Sequence, residues 1–281
     1  TSDYLSDDFT FKAKVTKGKL YKVKVAFSGD LVSEYVSEAL SGHERTLEAE
    51  GTTHTGYTVK TAEITEQIYD IPVVDDVLDL KFTGAKVAYI TIEKVEKSAG
   101  EKPNIWSVGD STIGNNGSYA YNLARDQANY PELTALADYH NNGKGSRNLK
   151  TYYTQGWLDN IPIKIRPGDI VTIGNMGTNP GGMSGTQFKA PLDYYVDACL
   201  AMGAKVILTS YTPHGCVEGY EYVYDKTTHT FHGCREDAYD SLGIRVIYEE
   251  RKDNHDILGF IDIGLNVDNA FNEYVADYAK N

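Results

Sequence analysis

The chain has 281 residues, a formal net charge of −13 and 24% charged residues. This acidic balance, without any cluster of Lys and Arg, excludes the basic stripe by which proteins bind nucleic acid or anionic membrane surfaces. No apolar stretch approaches the roughly 20 residues of a membrane-spanning helix, and the length favours two domains. We therefore predict no nucleic-acid partner and no membrane partner.

Residues 1–98 are predicted to form an all-β domain. The segments Leu20–Phe27, Thr58–Ile64 and Val87–Val95 alternate apolar and polar residues, and Gly, Asp and Asn separate them. Strands that bury one face need a second sheet opposite them, so we predict a β-sandwich. The strand rhythm resembles that of galactose-binding-like jelly-roll modules, which implies an accessory domain ahead of an enzyme.

A polar segment that contains both Gly and Pro, residues 97–103, is predicted to be a linker. After it, strands alternate with helices, which predicts an α/β domain over residues 103–281 with a parallel sheet covered on both faces, in three α/β/α layers. Functional sites in such sheets lie at the carboxyl ends of the strands. The predicted elements are a strand at Ile170–Ile173, a helix from Pro191 to Met202 that ends at Gly203, a strand at Lys205–Thr209 and a segment that ends in residues 244–248.

The run Gly109-Asp110-Ser111-Thr112 directly follows the apolar residues 105–108. A serine on a tight turn between a buried strand and a helix presents its hydroxyl where backbone amides can assist a nucleophile. Ser111 is also a favourable capping residue for the helix after it. Two glycine-containing runs follow in order, Gly143-Lys144-Gly145-Ser146-Arg147 and Gly174-Asn175-Met176-Gly177-Thr178-Asn179.

This ordered series resembles the conserved blocks of the SGNH (GDSL) hydrolases. The resemblance implies that Ser111 is the nucleophile and that its own amide, the Gly143 amide and the Asn179 side chain form the oxyanion hole. The run from Gly143 to Arg147 is similar to the Gly-Arg-Ser-x-Arg run of rhamnogalacturonan acetylesterases. We predict Asp110 and Arg147 as substrate-binding residues. In the family's Gly-x-Asn-Asp pattern, Gly177-Thr178-Asn179 aligns and Pro180 replaces the Asp. Gly174-Asn175 is the competing match, but it is one residue too tight, so Asn179 is favoured.

The resemblance also implies an Asp-x-x-His block near the C-terminus, whose histidine is the base. No histidine of this chain has a carboxylate three residues before it. Three alternatives stay open. The hydrolase domain lacks its C-terminal end here and the base lies beyond Asn281; the protein has lost its base and serves for binding; or His214 or His255 is the base or contacts substrate.

The three cysteines favour an oxidising, extracellular setting. Cys216 and Cys234 bracket a segment rich in Tyr, Thr and Gly, and a disulfide between them would stabilise the fold by ~3 kcal/mol. Cys199 lies on the apolar face of a predicted helix and is predicted to be buried and free. No His, Cys or carboxylate spacing indicates a metal site. The run from Gly114 to Gly117 lacks the Lys-Ser/Thr of a phosphate loop, so we predict no cofactor.

These features predict a secreted carbohydrate esterase that removes acetyl groups from plant cell-wall polysaccharide. Acetylated pectin of the rhamnogalacturonan type is the first expected partner and acetylated xylan the second, and further modules are expected beyond Asn281. The alternative is a non-catalytic carbohydrate-binding or adhesion protein on the same fold. A lipase-like enzyme is disfavoured because polar residues are predicted to line the rim, namely Asn115, Asn116, Asn141 and Asn142.

Overall fold

The computed structural model divides into two compact units, Thr1–Ser98 with Tyr152–Ile165, and Ala99–Thr151 with Arg166–Asn281. The predicted boundaries had put residues 152–165 in the second domain. The described end of this segment is held in the first unit by Lys97, whose Nζ donates to the carbonyl oxygens of Pro162 (3.2 Å), Ile163 and Ile165 (2.7 Å). The structure describes residues 8–28, 46–54, 64–114, 119–145, 160–174, 185–210, 223–225, 230–232, 244–263 and Glu273.

The described strands of the first unit form two antiparallel sheets. Their orders are β1-β6-β3-β4 and β5-β2-β7. Apolar side chains from both sheets share one core, in which Phe27 and Phe82 meet edge-on with ring centroids 6.2 Å apart. The strands are β1 (Phe9–Lys14), β2 (Lys19–Ser28), β3 (Thr46–Ala49), β4 (Thr52–His54), β5 (Ile64–Val73), β6 (Val77–Thr83) and β7 (Val87–Val95).

The predicted strands Leu20–Phe27 and Val87–Val95 are confirmed as β2 and β7. The predicted strand Thr58–Ile64 lies outside the described residues except for Ile64, which begins β5. The kinship of this unit with galactose-binding-like modules stays a prediction.

The second unit contains a parallel sheet of five described strands in the order β14-β11-β10-β8-β9. In chain order this is 2-1-3-4-5, the order of a doubly wound sheet, and the winding reverses between β8 and β10. The α/β class predicted for this region is confirmed. The elements are β8 (Asn104–Val108), α1 (Ser111–Gly114), α2 (Tyr119–Arg125), a 3₁₀ turn (Gln127–Asn129), α3 (Pro131–Thr134), β9 (Asp138–Asn141), β10 (Ile170–Ile173), α4 (Gly185–Ala201), β11 (Lys205–Thr209), an antiparallel pair β12 (Val223–Asp225) and β13 (Thr230–His232), α5 (Ile244–Arg251) and β14 (Ile257–Ile261).

Helix α4 begins at Gly185, six residues before the predicted start at Pro191. Its predicted apolar face is confirmed, because Leu192, Tyr195, Val196 and Cys199 are fully buried and Leu200 is half-buried. The predicted stop is also confirmed. Gly203 has φ 82° and donates to the Leu200 carbonyl at 2.9 Å, and the next amide donates to the Cys199 carbonyl at 3.1 Å.

Cys199 is buried and forms no disulfide, as predicted. Burial raises the pKa of its thiol well above the ordinary value, although a hydrogen bond from Tyr195 acts in the opposite direction. The thiol is therefore protonated at neutral pH, and Cys199 serves the core of the unit.

Candidate active site

Ser111 lies at the carboxyl edge of the parallel sheet, as the first residue of α1 and three residues after the end of β8. Asp110 shapes the turn. Its Oδ1 accepts the Thr112 amide at 2.8 Å, and its carbonyl accepts the amides of Ile113 (3.2 Å) and Gly114 (3.0 Å). Asp110 is therefore the N-cap of α1, and Ser111 is not. Among the described residues, neither the hydroxyl nor the amide of Ser111 has a hydrogen-bond partner.

The predicted contact of Asp110 with substrate stays a prediction, and the structure shows that this residue caps a helix. It is only 5% exposed, and its carboxylate is used in capping α1. Aspartate is a favoured cap because its short carboxylate reaches the free amides of the first helical turn. The role of Asp110 is therefore to hold the turn that carries Ser111.

The ends of β8, β9 and β10 converge around this turn. Gly174, directly after β10, donates its amide to the Val108 carbonyl at 3.0 Å, and Lys144, after β9, donates to the Gly109 carbonyl at 3.0 Å. A Cβ on Gly109 would overlap the Gly174 carbonyl oxygen. The structure thus brings the first and second sequence blocks together, with the first residue of the third block beside them.

Asn141, at the end of β9, joins the loop after β9 to the Ser111 turn. Its Nδ2 donates to the Ile113 carbonyl at 3.0 Å, and its Oδ1 accepts the Gly143 amide at 2.9 Å. The Gly143 amide is therefore occupied by Asn141 in this structure, and its role as an oxyanion donor stays a prediction. A Cβ on Gly143 would overlap Gly114, so the residue is a glycine because the two backbones pack together.

A polar cluster that the sequence did not indicate lies at the same edge, after β11 and β14. Asp262 accepts a hydrogen bond from the Ser210 hydroxyl at 3.0 Å and pairs with Arg245 of α5. The Arg245 guanidinium carbon lies 5.1 Å from the centroid of the Phe260 ring. In the sequence, this cluster could have been found from Asp262, which directly follows the apolar residues 257–261. The cluster extends the polar edge to the side of β10 away from β8.

The opposite, amino edge of the sheet holds a buried ionised carboxylate. Asp169, 1% exposed, accepts hydrogen bonds from the Asn104 amide (2.8 Å) and Nδ2 (3.1 Å), from Trp106 Nε1 (3.1 Å) and from the Arg166 amide (3.0 Å). Burial raises the pKa of this carboxyl, but the hydrogen bonds outweigh burial and hold the pKa below its ordinary value. His140 belongs to the same network, with Nε2 at 2.9 Å from Asn104 Oδ1 and its ring stacked on Trp106.

His255 was predicted as a candidate base, and its position contradicts that role. It lies in the turn between α5 and β14, with a side chain 90% exposed and Nε2 at 3.3 Å from Asp256 Oδ2. Because the five strands are parallel, the amino end of β14 and the carboxyl end of β8 lie at opposite edges, separated by roughly 15 Å of strand. His255 cannot reach the Ser111 hydroxyl across the sheet.

Other predicted site residues lie outside the described residues, and their roles stay predictions. Among the residues that the structure describes, no group of three or more His, Cys, Asp or Glu could hold a metal ion. No helix within the described ranges is both long and apolar enough to cross a membrane.

The predicted site residues that lie outside the described residues are Asn179, its competitor Asn175, Arg147, His214, Cys216 and Cys234.

No family model and no curated protein matches the chain. Solved structures similar to it include protein YXIM from Bacillus subtilis, with 21% identity, 94% of this chain and 70% of that chain covered, and a TM-score of 0.43. A carbohydrate esterase whose active site displays divergent catalytic and non-catalytic binding functions shares 10% identity over 99% of this chain and 95% of that chain, with a TM-score of 0.35. A GDSL-like lipase from Bacteroides ovatus shares 13% identity over 91% and 73%, with a TM-score of 0.32. None of these similarities determines the reaction of this chain.

Proposed function

We propose that the second unit is a serine ester hydrolase of the SGNH type and that Ser111 is its nucleophile. The observation that carries the proposal is the state of the Ser111 hydroxyl, which has no hydrogen-bond partner among the described residues because Asp110 caps the helix instead. Ser111 lies at the carboxyl edge beside the reversal between β8 and β10, where doubly wound sheets bind their ligands.

The chemistry of this site would be acyl transfer. The Ser111 Oγ attacks the acetyl carbonyl carbon while a base takes its proton, and the C=O electron pair moves onto oxygen, where backbone amides stabilise the oxyanion. Collapse of the intermediate expels the sugar oxygen, which takes the proton from the base and leaves acetyl-Ser111. Water then attacks the acetyl group by the same route and releases acetate.

His214 is the proposed base within these 281 residues. In sequence it follows the end of β11 by five residues, and β11 ends at the same edge as β8. Its imidazole would take the Ser111 proton and return it to the leaving sugar oxygen. Asn179 is proposed as the side-chain donor to the oxyanion, on the match of Gly177-Thr178-Asn179 to the Gly-x-Asn pattern.

The proposed substrate is an acetylated plant cell-wall polysaccharide, with pectin of the rhamnogalacturonan type first and xylan second. Support comes from the similarity of the run Gly143 to Arg147 to that of rhamnogalacturonan acetylesterases. We further propose that the first unit is a galactose-binding-like accessory module, that Cys216 and Cys234 form a disulfide, and that the protein is secreted.

The proposal is tested by acetate release from p-nitrophenyl acetate, acetylated pectin and acetylated xylan, with Ser111→Ala as the paired variant. We expect Ser111→Ala to lower kcat by at least about 10⁴-fold without a change in the midpoint of thermal unfolding. The unmodified protein and the variant are assayed side by side at the same concentration. Release of acetate at the same rate by Ser111→Ala would overturn the proposal.

The second candidate function is a non-catalytic carbohydrate-binding protein on the same fold. It is favoured by one observation, namely that no histidine in the chain is preceded three residues earlier by a carboxylate. This alternative expects retention on acetylated polysaccharide, no acetate release and no labelling of Ser111 by a serine-directed organophosphate. The labelling result separates the two candidates directly.

A further inference from the structure

The outer face of the sheet β5-β2-β7 in the first unit, the face turned away from the shared core, carries large apolar side chains that are exposed. Ala26 of β2 lies on this face, because its two neighbours in sequence belong to the core. In the register of the sheet, Ala26 pairs with Glu66 of β5 on one side and with Tyr89 of β7 on the other. Ile64 and Ile68, two residues before and after Glu66, are 60% and 58% exposed, and Tyr89 is 42% exposed. Exposed apolar groups that share one face mark a surface that binds a ligand or a partner.

The Tyr89 ring is held across this face. Its hydroxyl donates a hydrogen bond to Glu66 Oε1 on the strand beyond β2, so the side chain crosses above Ala26. Ala26 is fully buried although it belongs to the outer face, and its single methyl group leaves room for the ring. Lys24 Nζ lies 3.2 Å from the other carboxylate oxygen, Glu66 Oε2. One face of the ring therefore rests on the sheet, and the other is open to a ligand.

We propose that this outer face binds an uncharged polysaccharide chain, with a sugar ring stacked on Tyr89. An aromatic ring with one open face accepts the apolar C–H face of a pyranose. The Glu66–Lys24 pair beside it offers an acceptor and a donor to the hydroxyl groups at the rim of that sugar. Ile64 and Ile68 extend the apolar surface over about 14 Å along β5, which suits consecutive sugars of an extended chain. The site does not depend on Ser111; it rests on the accessory role proposed for the first unit and adds a ligand and a binding surface to it.

The charges of the outer face favour an uncharged chain over polygalacturonate. Carboxylates outnumber lysines among the outward residues of the three strands, so a polyanion would meet a small net repulsion. The lysine nearest to the Tyr89 ring is already paired with Glu66. The charged residues of this face are Lys22 and Lys24 on β2, Glu66 and Asp70 on β5, and Glu93 on β7.

The direct test is isothermal titration calorimetry of the full chain with two uncharged probes, xylohexaose and a galactan hexasaccharide, and with hexagalacturonate. We expect at least one uncharged probe to bind, and hexagalacturonate to bind more weakly. Tyr89→Ala removes the stacking surface and should weaken binding at least about tenfold, whereas Tyr89→Phe keeps the ring and should lose less. Tyr130→Ala truncates a tyrosine of the second unit that is 40% exposed, and as the matched control it should keep the affinity.

Binding of neither uncharged probe, tighter binding of hexagalacturonate, or equal affinity of Tyr89→Ala and the unmodified protein overturns the inference. A dimer in sedimentation that Tyr89→Ala dissociates also overturns it, because the face would then bind a second copy of the chain. If Tyr89→Ala does not fold, Ile68→Ser decides, since it shortens the apolar surface and should also weaken binding. Tyr89→Ala should release acetate from p-nitrophenyl acetate at the unmodified rate. No release by either protein would overturn the function proposed for Ser111 and leave this binding site intact.

Discussion

The two edges of the parallel sheet use their polar groups in opposite ways. At the amino edge, four N–H donor groups satisfy the buried carboxylate of Asp169, and His140 completes the network through Asn104. At the carboxyl edge, Ser111 and Gly145 keep donors without partners among the described residues. Both residues are half-buried, so their donors are open to a bound ligand, whereas an unsatisfied polar group that is fully buried costs about 1–3 kcal/mol. The amino edge therefore contributes stability, and the carboxyl edge is the place to look for reactivity.

The largest expected effect on stability is that of Gly143→Ala. The added Cβ would overlap the backbone of Gly114, which cannot move without displacing the turn that carries Ser111. We expect a loss of about 3 kcal/mol in the free energy of unfolding and a loss of acetate release, measured by urea unfolding and by the esterase assay.

Gly259→Ala is the matched control, because a Cβ on that glycine of β14 meets nothing within 4 Å. Its free energy of unfolding should stay within about 0.5 kcal/mol of the unmodified protein. If Gly143→Ala were as stable as Gly259→Ala, the close packing of the loop against α1 would be refuted.

The second prediction concerns the amino edge, where Asp169→Asn should lower the free energy of unfolding by about 2 kcal/mol at pH 7. The amide replaces one acceptor oxygen by a donor and leaves buried N–H groups unpaired. Because the folded pKa of Asp169 lies below the unfolded value of about 3.9, its stabilisation is complete above that pH and is lost as the pH falls through the folded pKa.

Urea unfolding at pH 7, 4 and 3 tests the pH dependence. The difference between Asp169→Asn and the unmodified protein should shrink as the pH falls below about 4. Asp138→Asn is the control, since its partly exposed ion pair with Lys102 contributes at most about 1 kcal/mol. A difference that stays constant over this pH range would argue against an ionised Asp169.

Much of the sheet could be predicted from the sequence because buried parallel strands are short apolar runs. The predicted Ile170–Ile173 and Lys205–Thr209 coincide with β10 and β11. Residues 244–248, which end the fourth predicted segment, lie in helix α5. The strand β14 was not predicted from the sequence. Helix α4 was expected to begin at Pro191 but begins at Gly185, so the proline lies inside the helix.

The hydrogen bonds of the site could not be predicted from sequence spacing. Asp110 and Ser111 are both favoured caps, and only the folded turn shows that Asp110 is the one used. Asn104 and Asp169 are 65 residues apart, so their pairing depends on the register of β8. The state of the Gly143 amide depends likewise on the fold, because it is the Asn141 side chain that accepts its hydrogen bond.

A smaller effect is expected from Asp110→Ala, which removes the cap of α1. The free energy of unfolding should fall by about 1 kcal/mol, whereas Ser111→Ala should leave it within about 0.5 kcal/mol because the hydroxyl has no described partner. Both are measured by thermal and urea unfolding. If Ser111→Ala proved the more destabilising variant, the cap would have to be assigned to Ser111.

The smallest effect is expected from His255→Ala. Its side chain is 90% exposed at the amino edge, and its contact with Asp256 is a surface ion pair that contributes little to stability. The rate of acetate release should therefore change by about twofold at most, whereas loss of the proposed base in His214→Ala should reduce kcat by about 10⁴-fold, the size of effect seen when the base of a catalytic triad is disabled. A large loss in His255→Ala would mean that activity depends on the amino edge as well, and the division of the sheet into a stabilising edge and a reactive edge would not hold.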